Sequence, residues 1–142
     1  MVDDKAMTTN DNRATWQQVL GRVAEYSDTD HWNRWKGIAL PILRQSVDLE
    51  LDSLFRAGMG MHQLIFSTVD HHRLKDEPRV TFEIREDWTI RISLARSNVY
   101  FNEPSDFAIV DEALAFSTFR QYLRRLWEQT QEEPIPSGLS LP

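Results

Sequence analysis

The sequence predicts an α+β fold. It has two N-terminal helices, an antiparallel meander of three to four strands, and a C-terminal helix packed on one sheet face to make two layers. Two observations carry this. The first is the stretch Arg79 to Ala95, where Val80, Phe82 and Ile84, then Trp88, Ile90, Ile92 and Leu94, alternate with Thr81, Glu83, Arg85, Thr89, Arg91 and Ser93. Successive strand side chains point to opposite sides, so this is a hairpin with one apolar and one polar face, and only one face needs a cover. The second is helical spacing near both ends of the chain: Trp16, Val19, Leu20 and Val23, then Phe116, Phe119, Leu123, Leu126 and Trp127.

Residues 1–12 are polar and without period, and read as a disordered tail. The first helix runs from Arg13 to about Tyr26, and Ser27-Asp28-Thr29-Asp30 forms a loop that offers N-caps. His31 to Trp35 forms a short helical turn with Trp32 and Trp35 on one side. Pro41 suits the first turn of the second helix, on which Leu43, Val47, Leu51, Leu54 and Phe55 hold their spacing until Gly58, a C′ glycine. Continuing that helix to His72 would enclose Gly58 and Gly60 at a cost of ~2 kcal/mol relative to alanine, so His62 to Val69 reads as a strand.

Parity constrains the turns. For Ile84 and Trp88 to share a face the first hairpin loop must hold an odd number of residues, most simply Arg85-Glu86-Asp87. An even turn near Ser97 would bring Val99 and Phe101 onto the face of Ile92 and Leu94, leaving Tyr100 on the other. Residues 107–116 are ambiguous, with a short helical turn from Asp111. Ser117 is the expected N-cap of the last helix, where Arg124 and Glu128 are spaced as an exposed i, i+4 pair opposite the apolar stripe. One domain spans 13–131, and 132–142, rich in proline, reads as a second disordered tail.

A chain of 142 residues can bury one sizeable core. Its net charge of -6 disfavours nonspecific attraction to phosphate backbones or anionic lipid, so neither nucleic acid nor membrane is expected as a partner. No apolar run approaches the ~18 residues of a membrane helix, and no secretory leader is recognisable, which makes cytoplasm the expected location. Zero cysteines exclude disulfides, thiolate catalysis and thiolate zinc sites. Thirteen arginines against three lysines suit planar pairing or stacking at an interface as well as a compositional bias.

No phosphate-loop, dinucleotide or nucleophile-elbow motif is present, and no cofactor is expected. Trp32 and Trp35, the acidic pair Asp48 and Asp52, and Arg91 on the polar strand face are candidate interaction residues. Three polar groups, His62, Thr68 and Tyr100, are candidates to line a ligand pocket of roughly 300 Å³ or more between sheet and helices. His62, Asp70 and His72 share strand parity and form an alternative metal set of nitrogen and oxygen donors. The expected function is that of a small acidic non-enzymatic domain binding a protein partner or itself. The alternative is a small-molecule-binding or enzymatic domain with that pocket.

Overall fold

The computed structural model describes residues 9–26, 29–68, 78–95 and 106–140. Three helices and a five-stranded antiparallel sheet follow in the order α1 (Thr9–Ala24), α2 (Asp30–Asp48), β1 (Arg56–Gly60), β2 (Gln63–Ser67), β3 (Arg79–Ile84), β4 (Ile90–Ala95), β5 (Phe107–Val110) and α3 (Glu112–Thr130). The strands lie side by side in chain order, every neighbour antiparallel. The fold is α+β, with five strands rather than three or four.

α1 starts at Thr9, within the stretch expected to be a tail. Asn12 is buried, and its side-chain amide donates to the Ser53 carbonyl at 3.0 Å, which ties the first turn down. Trp16, Val19 and Val23 are buried as their spacing predicts, and the Trp16 indole N–H donates to the Phe55 carbonyl at 2.8 Å. α1 also covers the sheet edge at β1, where the Ala57 amide donates to Thr15 Oγ1 at 2.9 Å. An edge strand left with free amides is a template for unwanted pairing, and this contact removes one.

α2 departs most from expectation. It begins at Asp30, with Thr29 as N-cap accepting from the Trp32 amide, so the turn at His31–Trp35 and the second helix are one helix. Pro41 therefore sits in its interior. Its ring removes the amide that would bond the carbonyl of Gly37, but both residues are exposed and water can take that carbonyl. The helix stops at Asp48 because Glu50 adopts the left-handed conformation (φ 62°), the task usually given to glycine. Leu51, Leu54 and Phe55 thus belong to a 3-10 turn over Leu51–Ser53 and to the chain after it, and Gly58 lies in β1 instead of ending a helix.

In the β3–β4 hairpin Ile84 faces Ile90, and the Arg85 amide donates to the Thr89 carbonyl at 2.8 Å. The loop holds Glu86, Asp87 and Trp88, an odd number as parity requires, displaced by one residue from Arg85-Glu86-Asp87. The even-length turn near Ser97, with Val99, Tyr100 and Phe101, lies outside the described residues. The last strand is β5, over residues that the sequence left ambiguous. Ala108 and Val110 pair with Ile92 and Ile90, so the apolar row continues across the sheet.

Val80, Phe82, Ile90, Ile92, Leu94, Leu64 and Phe66 are all buried, with Phe119 of α3 edge-on to both Phe66 and Phe82. α3 starts at Glu112 with Asp111 as its N-cap, six residues ahead of the expected cap Ser117, whose hydroxyl donates to the Leu114 carbonyl within the helix. The described chain after α3 packs back onto the helices. Trp127 donates to the Glu133 carbonyl, Arg120 donates to the carbonyls of Gly138 and Ser140, and Leu139 is fully buried. The apolar Ile135 and Leu139 are what hold down a segment whose prolines suggest a free tail.

Candidate functional site

β1 and β2 are joined by two residues only, Met61 and His62, both at positive φ (50° and 66°). Two left-handed central residues define the mirror-image turn whose twist matches a hairpin, and Asn-Gly is its usual sequence. Here a methionine and a histidine occupy it. At the same end of the sheet the β3–β4 loop carries a third such residue, Trp88 (φ 68°). Glu50 is the only other non-glycine residue at positive φ among the described residues. Bulky side chains held this way cost of order 1–3 kcal/mol each, and such strain gathers where a particular side-chain presentation matters.

The first turns of α2 pack against these two loops and bring aromatic rings together. Tyr26 stacks on Trp35 (centroids 5.0 Å apart, 24° between planes) and meets Trp32 edge-on at 5.1 Å. The His62 ring lies 4.6 Å from Trp32, and its Nδ1 shares a 3.1 Å hydrogen bond with the Tyr26 hydroxyl. On the other side His31 packs between Trp32 (4.7 Å) and Trp88 (5.0 Å), and the Arg34 guanidinium sits 4.4 Å over the Trp88 ring. Trp35 is buried and anchors the cluster in the core, whereas Trp32 and Trp88 are half-buried.

These residues enclose a half-open cavity of about 240 Å³. Its walls are His31, Trp32, Trp35, Met61, His62 and Trp88, with Gln63, Glu83, Ile84, Arg85 and Glu86 completing the rim. Met61, 92% exposed, stands at the lip as an uncovered apolar side chain. The Trp88 conformation is fixed from the adjacent residues: Asp87 accepts from both the amide (3.1 Å) and the hydroxyl (2.6 Å) of Thr89. Those two bonds hold the Asp87 carboxyl below its ordinary value, with Arg85 adding to the effect.

The candidates read from the sequence fall in different places. Trp32, Trp35 and His62 come together here, although His62 belongs to a turn and not to a strand. Thr68 is buried just past the far end of β2, roughly 15–20 Å away at a strand's rise of ~3.3 Å per residue. Tyr100, Asp70 and His72 lie outside the described residues, and no group of three or more metal-ligating side chains occurs among those described.

Asp48 is exposed at the end of α2, but Asp52 is 94% buried in the 3-10 turn, so the two are not neighbours on a helix face. Arg13 lies 3.9 Å from the Asp52 carboxylate. Burial raises that carboxyl above its ordinary value, against the opposing pull of Arg13. Arg91 is on the sheet face opposite Ile90 and Ile92, with its guanidinium over Phe107 at 5.1 Å and Glu83 directly across the strand pair.

Tyr26, His31, Trp88 and the two glutamates were not legible as site residues. Tyr26 ends a helical stripe, and Trp88 continues a strand alternation, so periodicity assigns both to the core. The one sequence signal for them is the density of aromatic and histidine residues beside predicted turns. Compared with known proteins, the chain matches no family model, no curated protein and no solved structure. No helix among the described residues is long and apolar enough to cross a membrane.

Proposed function

We propose that this protein is a non-enzymatic recognition domain that binds a protein partner through the aromatic end of its sheet, taking one partner side chain into the cavity. The observation that carries this reading is the coincidence of strain and composition. Three of the four positive-φ non-glycine residues described line one cavity, and they do so together with Trp32 and Arg85. Tryptophan, tyrosine, arginine and methionine are the residue types enriched in interface centres, and an ordered aromatic pocket is the usual form of an anchor site.

Size favours a side chain over a free small molecule. Pockets for drug-sized ligands run to ~300–1,000 Å³. This one is about 240 Å³ and lies where the first turns of α2 meet the end of the sheet, with His62 on its wall and Thr68 away from it.

Selection of a random displayed peptide library on the full chain tests this. Enriched peptides should lose binding to Trp32→Ala, and also to Met61→Asn, an exposed change that keeps the left-handed turn accessible and leaves the core alone. Peptides indifferent to both substitutions, or no enrichment at all, would refute the reading.

A further inference from the structure

We infer that the side chain this cavity takes is cationic, an arginine or lysine from a basic segment of the partner; this rests on the recognition reading above. Glu83 and Glu86 both line the cavity, and the carboxylate of neither has a hydrogen bond or ion pair among the described residues. Carboxylates at the edge of an aromatic enclosure favour a cation twice over, through direct attraction and through the negative faces of the rings beside them. An anionic occupant would meet the same two carboxylates as repulsion.

The molecule already contains one example of the interaction. Arg34 holds its guanidinium over Trp88 at 4.4 Å, yet it is not part of the cavity wall. The Trp88 ring thus already carries a guanidinium, and Trp32 with the two glutamates is what the cavity offers a second cation. The positive end of α2 is met by the Thr29 cap and by Asp30 in the first turn. Of the carboxylates and guanidiniums lining the cavity, Glu83 and Glu86 outnumber Arg85. The chain as a whole carries -6, which steers basic partners toward it.

The direct test follows the indole N–H resonances of Trp32, Trp35 and Trp88 in the full chain during titration with N-acetyl-arginine amide, and separately with N-acetyl-citrulline amide, its neutral isostere. Saturable shifts are expected, with the arginine probe about five- to tenfold tighter, the ratio of one cation–π contact plus a partly screened charge pair. Glu83→Gln with Glu86→Gln should remove most of that preference without changing the fold, since Glu86 is exposed, Glu83 is only half-buried and glutamine keeps the shape of each side chain. Equal affinity for the two probes, or no shift with either, would overturn the cationic occupant. The peptide selection separates this failure from that of the parent reading. Trp32-dependent peptides lacking any basic residue would leave recognition standing and remove the cation, whereas no Trp32-dependent peptide would remove both.

Discussion

At the scale of single residues, burial decides which side chains matter for stability. Leu123 is fully buried in the middle of the α3 stripe, while Arg124 is partly exposed and makes only a 3.7 Å ion pair with Glu128. Leu123→Ala should cost ~2–5 kcal/mol in urea denaturation, through lost transfer energy and the cavity left behind. Arg124→Ala should cost under ~1 kcal/mol by the same measurement, because an exposed i, i+4 pair is worth little. Asp52 behaves differently from a surface acid. Its folded pKa is raised, chiefly by burial, so the native state binds that proton more tightly than the unfolded chain. This contribution is fully present below the unfolded value near ~3.9 and is lost as pH rises through the folded value. Asp52→Asn should therefore raise the denaturation midpoint at neutral pH, and the gain should shrink toward about pH 3.5 as the wild-type carboxyl becomes protonated. A gain that grows on acidification would show that the Arg13 pairing outweighs burial.

At the scale of elements, the β1–β2 turn sets stability against presentation. Met61 and His62 occupy left-handed positions that Asn-Gly would fill without strain. Replacing them together, Met61→Asn with His62→Gly, relieves two strained residues but forfeits the exposed His62 bond to Tyr26. The net change should be a stabilisation of about 1 kcal/mol, since an intramolecular hydrogen bond contributes only ~0.5–1.5 kcal/mol. The same variant should bind selected peptides more weakly. Denaturation and binding measured on one preparation check both halves, and a destabilised variant would mean that the side chains hold the turn rather than strain it. Helix ends were the least legible elements for a related reason. Glycine normally marks the left-handed residue after a helix, but Glu50 takes that conformation here, so the true end of α2 carries no sequence mark.

At the scale of the whole molecule, the C-terminal segment acts as a strap across α2 and α3. Gly138 passes so close to the end of α2 that a Cβ there would stand 2.5 Å from the Leu49 carbonyl oxygen. Gly138→Ala must lift the strap and disturb the buried Leu139 beside it, at a cost of about 1–3 kcal/mol. Gly21, on the exposed side of α1, has nothing within 4 Å of its Cβ position, and Gly21→Ala should instead stabilise by about 0.5–1 kcal/mol. Opposite signs in thermal or chemical denaturation are the expected result. Equal effects would place the strap free of the core.

The sequence by itself determined the sheet-forming alternation at Arg79–Ala95, the odd turn within it, the buried stripes of α1 and α3, and the α+β class. Each follows from local periodicity, because a strand or helix must bury a regularly spaced face whatever packs against it. Only the tertiary structure decided that His31, Trp32, Met61, His62 and Trp88, scattered over two loops and a helix start, form one cavity with Glu83 and Glu86. Their meeting depends on where α2 begins and on which turn residues accept positive φ. Both are settled by packing between elements distant in sequence, which leaves no period to read.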